Sequence, residues 1–259
     1  MATSAISACP PRRIPGMAGS YKAQAVVLRS MRFAEADRVL HLYTAERGRV
    51  NAIAKGVRRT GSRFGGRLEP LTHAALVLHE GRGELHTVSG ADIVRSHAAV
   101  RDRPAAREVA AIGAEAMLKL HVEPEPQPQV FAGLLRFLRV LETHEVDEDP
   151  ALDPVGLAFQ LKLLMLAGYL PHLTACAGCG SSGPLVGFSA GAGGAVCADC
   201  LDAHAGVHMH AESLAAAEEL VGRPLGEPQV SQRQARDALH VVERSYEHHG
   251  GFRLRTLRA

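Results

Sequence analysis

Four cysteines stand in two matched pairs, Cys176-Ala-Gly-Cys179 and Cys197-Ala-Asp-Cys200, with seventeen residues between the pairs. A two-residue gap lets two thiolates from one tight turn meet one cation. A second such turn completes a closed tetrahedral site of the structural zinc kind. Paired cysteines also form disulfides and thioredoxin-like redox sites. A redox CxxC stands alone after a strand at a helix start, so two matched knuckles favour one zinc ion. Four thiolates leave no open coordination position, so this metal is expected to order a loop and not to turn over a substrate. His204, His208 and His210 follow the last cysteine and are expected on the surface.

A second stretch carries chemistry of another kind. Lys55-Gly-Val-Arg58-Arg59-Thr-Gly-Ser-Arg63-Phe64-Gly-Gly-Arg67 has five cations, four glycines and no acid. Flexible arginine-rich loops grip phosphates, and glycines let the backbone approach a ligand closely. The plainer reading is a solvated loop, incidental on a protein-binding adaptor whose docking surface the zinc stabilises. Arg29, Arg32 and Arg38 extend the same basic track. Aromatics that stack on bases are few: there is no Trp, and the front half offers only Tyr21, Phe33, Tyr43 and Phe64. Phe64 is expected to plug a barrel end. The expected mode is therefore backbone gripping with little sequence preference. No P-loop, GxGxxG after a strand, HExxH or GxSxG occurs, so no catalytic residue is assigned and no enzyme is expected.

The elements that must position these groups differ between the two halves. Five short antiparallel strands are expected at Tyr21–Arg29, Val39–Thr44, Val50–Lys55, Leu71–His79 and Glu84–Val94. An OB-like barrel is the economical way to close them, with an SH3-like barrel as the alternative. The back half reads as helices: Asp102 to His121, Val130 to His144, Asp153–Pro154 to Gly168, Glu212 to Val221 and Val230 to His248. The third is apolar almost all round, which places it at the centre. The fold class is thus α+β. An OB-like barrel over 20–100 precedes a helical domain over 101–259, and a four-cysteine finger is inserted at about 172–208. Residues 1–19 read as a disordered leader, and Met17 offers an alternative start.

With 259 residues, 46% hydrophobic and 22% charged, the chain matches a globular protein. No run is long enough to span a membrane and no secretory signal is visible. Four cysteines spent on one metal suit a reducing cytoplasm. Net charge is only +2, yet residues 21–100 carry 13 Lys+Arg against 7 Asp+Glu, and residues 101–259 carry 14 against 20. A basic front and an acidic back point the front at a polyanion.

Several segments resemble the RecO family of bacterial DNA repair and recombination mediators. They are Ala34-Glu35-Ala36-Asp37-Arg38, Ala54-Lys55-Gly56-Val57-Arg58-Arg59, Ser62-Arg63-Phe64-Gly65-Gly66-Arg67-Leu68-Glu69-Pro70, and Ala167-Gly168-Tyr169-Leu170-Pro171. The resemblance runs from about Tyr21 to the C-terminus. It implies an OB-fold that binds single- and double-stranded DNA and anneals complementary strands. It also implies assembly with RecR, in the RecF pathway, to load RecA on strands covered by single-strand-binding protein. That protein's acidic, hydrophobic-ended tail is expected on the helical domain, where Arg136, Arg139 and Lys162 offer a basic spot. The place of action so implied is the cytoplasm, at the nucleoid.

Overall fold

A computed structural model describes residues 19–258 apart from 63, 82 and 147. The expected leader up to residue 18, and Arg63 of the basic stretch, lie outside the described residues. Five strands come first: β1 (Ser20–Phe33), β2 (Asp37–Thr44), β3 (Gly48–Ala54), β4 (His73–His79) and β5 (Leu85–Arg95). They close into a barrel in the order β1-β2-β3-β5-β4. Alternation sends Ala25, Val27, Leu40, Leu42, Leu76 and Leu78 inward, and these pack together as the barrel core. A 3-10 turn, Gly65–Leu68, contributes Leu68 and the preceding Phe64 to that core, so Phe64 is the expected plug.

The strands are not all antiparallel. β3 and β5 pair in parallel over Asn51↔Leu85, Ala52↔His86 and Ile53↔Thr87. The chain leaves β3, crosses the barrel end through residues 55–72, and returns through the β4–β5 hairpin, so β5 comes back along the direction of β3. β1 serves both neighbours, pairing with β4 through its first half and β2 through its second. A bulge between Val27 and Arg29 marks the handover. The extra residue turns Leu28 outward, next to Arg29. β4 starts at His73, two residues later than expected, because Leu71 has φ +68, which no strand residue adopts.

The helices are α1 (Ala98–Asp102), α2 (Pro104–Leu120), α3 (Pro128–Leu141), α4 (Pro154–Leu166), α5 (Ala198–Ala203), α6 (Ala211–Gly222) and α7 (Gln232–Ser245). α4 is the axis of the helical unit: nine of its thirteen residues are buried. Its start was legible. Pro154 opens it and Asp153 Oδ1 accepts the Gly156 N–H at 2.8 Å. The buried Asp153 is also held by His144 at 2.7 Å. Gly168, with φ +79, stops the chain just beyond the helix. Gly113 on α2 lets Phe137 and Phe159 stack with centroids 4.0 Å apart, since a β-carbon there would stand 2.7 Å from the Phe137 ring. Among the described residues no helix is long and apolar enough to cross a membrane.

Beside the barrel's own core, residues on the barrel's outer face join the core of the helices. Val26, Leu28, Tyr43 and Leu71 belong to the same apolar cluster as Val109, Phe137 and Leu161. Three histidines sit near this seam. His73 stacks edge-on to Phe131, His121 lies edge-on to Tyr43, and His97 bonds Glu142 at 2.8 Å. Burial, the largest cause in each case, pulls all three below the ordinary value of 6.5. The folded chain therefore takes up protons at these sites less readily than the unfolded chain, so stability present above about pH 6.5 is lost as pH falls. Melting temperature is expected to drop from about pH 7.5 to about pH 5.5, with a smaller drop in His121→Leu. A flat melting profile over that window refutes the reading.

Candidate metal centre and nucleic-acid interface

The cysteine finger is built from two knuckles and a small sheet. In the first knuckle Gly180 N–H closes the turn onto the Cys176 carbonyl at 2.8 Å, and Gly180 takes φ +76. The chain then forms β6 (Gly187–Ser189) and β7 (Gly194–Val196), and later adds the short β8 (Val207–His208) to the free edge of β6. Cys197 caps α5 and Cys200 lies in its first turn. This brings all four Sγ atoms within 4.8 Å of one another, an arrangement able to hold a metal ion. The thiols are not bonded to each other: Cys179 and Cys197 Sγ stand 3.8 Å apart.

The four thiols do not ionise alike. Backbone N–H groups, with that of Cys197 foremost, pull Cys176 down to about 6. Hydrogen bonding to Cys176, and then burial, push Cys200 up to about 12. One thiolate forms readily and makes the next harder to form. A bound divalent ion would remove that conflict by holding every ligand deprotonated. Gly178 is required at close quarters: a β-carbon there would come within 3.0 Å of both Cys200 Sγ and His204 Nε2. His204, His208 and His210 are exposed, and the four-thiol group does not include them. The finger's own core is only Cys176, Val196 and Leu201, while Phe188 and Ala195 reach into the main helical core.

The described residues of the basic stretch lie at one end of the barrel, where Phe64 and Leu68 enter its core. Lys55, Arg58 and Arg59 are exposed and Arg67 is partly so. The Arg58 guanidinium donates to the Glu35 carbonyl at 3.0 Å, and Gly56 N–H donates to Asp37 Oδ1 at 2.7 Å. The β1–β2 turn therefore meets the β3–β4 loop. Strand parity divides the three additional arginines. Arg32 and Arg38 are paired across β1 and β2, on the side that Ser30 and Leu40 turn inward, so they stand at the mouth. Arg38 bonds Glu69 at 3.1 Å. Arg29 pairs with His41 on the outer face, and His41 in turn pairs with Asn51 and donates to its Oδ1 at 2.7 Å. Burial, opposed by the Asn51 bond and aided by Arg49 and Arg29, lowers the His41 pKa. His41 and Asn51 alternate with inward residues of β2 and β3. Phe33, at the end of β1, is 50% exposed.

A third feature sits in the helical unit. A cavity of about 490 Å³ is lined by Arg136, Lys162 and Arg223 over an apolar floor including Val130, Phe159 and Leu163. Burial, then Arg136, lowers the Lys162 pKa, and its ammonium donates to the Val221 carbonyl. Arg139 does not line this cavity; its charge bears on His73 and His97 at the seam. Arg223 comes from the segment after α6 and had no signal in the local sequence.

A closed five-strand barrel with a cationic mouth, sharing a core with helices that carry a four-thiol finger, defines a two-part architecture of OB type. Family models carry the assignment further. That for Recombination protein O N terminal matches residues 17–97, and that for Recombination protein O C terminal matches residues 108–258. The chain is 37% identical over 245 residues to the DNA repair protein RecO of Anaeromyxobacter sp. (strain Fw109-5), covering 90% of this chain and 92% of that protein. It is 41% identical over 182 residues to the DNA repair protein RecO of Rubrobacter xylanophilus, covering 70% of this chain and 71% of that protein. The chain belongs to the RecO family of DNA repair proteins.

Proposed function

We propose that this protein binds single- and double-stranded DNA at the barrel mouth, anneals complementary strands and catalyses no covalent step. The observation that carries the reading is the gathering of Lys55, Arg58, Arg59 and Arg67 on a loop fastened to the turn before Arg38. Annealing needs no catalytic residue. A cationic surface screens two phosphate backbones from each other and raises the local concentration of one strand near the other. Arg32 and Arg38 extend the surface at the mouth, Arg29 continues it on the adjoining outer face, and the exposed Phe33 would stack on a base.

In the same reading one zinc ion occupies the finger. Sulfurs about 2.3 Å from a tetrahedral centre stand about 3.8 Å apart, which is the Cys179–Cys197 separation of 3.8 Å. Cys176, Cys179, Cys197 and Cys200 would hold it, and the ion would supply folding stability. The cavity beside Arg136, Lys162 and Arg223 suits an acidic peptide with a hydrophobic end, the chemistry of the single-strand-binding protein's tail. Family membership supports RecR as a partner, RecA loading as the outcome, and the nucleoid as the place of action.

The test is a strand-annealing assay with oligonucleotides, naked or coated by single-strand-binding protein. The expected result is faster annealing in both cases, lost when Arg136 and Lys162 are replaced by glutamate only where the strands are coated. No acceleration of either reaction overturns the reading.

A further inference from the structure

The loop that carries the cations is held by the β1–β2 turn and by two carboxylates. Gly56 N–H donates to Asp37 Oδ1 at 2.7 Å, and Arg58 N–H donates to the Ala36 carbonyl at 2.9 Å. Further along, Glu69 bonds Arg38 at 3.1 Å. Two carboxylates thus stand among side chains proposed to grip a polyanion. By charge alone both oppose that binding, with Asp37 only one residue from Arg38. The geometry gives Asp37 a different task. Its carboxylate takes the backbone N–H of a glycine held at φ +66, at the point where the chain leaves β3 for the loop.

We infer that Asp37 is a positioning residue for the DNA-gripping loop: it fixes the loop's first turn so that Lys55, Arg58 and Arg59 are presented together. The inference rests on the DNA reading above. Glycines 56, 61, 65 and 66 give an untethered loop many conformations. Each must be given up when the loop closes on a strand, and a loop already held in place loses less. The carboxylate therefore strengthens binding through the backbone by more than it weakens it through repulsion.

The sign of one substitution separates these effects. In the full-length protein, Asp37→Ala is expected to bind a labelled single-stranded oligonucleotide about tenfold more weakly than the native chain, although it removes a negative charge. Asp37→Asn keeps the Oδ1 acceptor without the charge and is expected to bind at least as tightly as native. Amide exchange at Gly56 should quicken in Asp37→Ala and not in Asp37→Asn. Asp37→Glu, which keeps the charge but moves the acceptor away from the Gly56 N–H, is the second variant should Asp37→Ala fold poorly, and it too is expected to weaken binding. Native binding together with unchanged or tighter binding by Asp37→Ala, the outcome of repulsion alone, overturns this inference and leaves the DNA reading standing. Equal weakening by Asp37→Ala and Asp37→Asn also overturns it. Absence of DNA binding by the native chain overturns the DNA reading itself.

Discussion

Replacing Lys55, Arg58 and Arg59 with glutamate is expected to flatten the salt dependence of DNA binding. If the loop's five cations alone carry the single-strand phosphates, the log-log slope is roughly −3.5, and losing three brings it to about −1.4. At about 0.1 M salt the affinity should fall about a hundredfold or more, since each reversal also adds repulsion. All three residues are exposed, so melting should change little. Fluorescence anisotropy over a salt series reads the slope directly. A variant with the native slope would move the binding surface elsewhere.

Stripping the metal, or replacing Cys197 with serine, is expected to unfold the finger. Its private core of Cys176, Val196 and Leu201 is too small to stand alone. Closed zinc sites contribute on the order of 10 kcal/mol in small peptides. The damage should spread, because Phe188 and Ala195 lie in the core around α4. Native mass spectrometry should give about one zinc per chain. Limited proteolysis after chelation should cut first between residues 172 and 208, and the melting temperature of the helical unit should fall. A chelated protein that resists cleavage there would show that the finger folds without metal.

The sequence made some of this plain, for identifiable reasons. Cysteine spacing is a local signal, and the four thiols converge as it implies. The start of α4 was readable because Asp153, Pro154 and Gly168 act within a few residues of themselves. Phe64 was expected in the barrel end and is there. Contacts between distant segments were out of reach. The parallel closure of β3 on β5 depends on how the chain crosses residues 55–72, which no alternation records. The bulge after Val27 hid the true length of β1, since Arg29 to Phe33 lack the inward-outward rhythm of a simple strand. Arg139 looked equivalent to Arg136 because both lie on α3, yet three residues of helix put it by the seam histidines and away from the cavity.

The shared core has a geometric consequence for any bound strand. Val26, Leu28 and Tyr43 lean on the helices, so that flank of the barrel is permanently walled off. A nucleic acid cannot encircle the barrel as a thread winds a spool. In the proposed reading it arrives and leaves over the remaining arc, from Arg29 round to the loop beyond Lys55. Two strands held there would lie on the same side, facing each other and the solvent, and could come away as a finished duplex without unthreading.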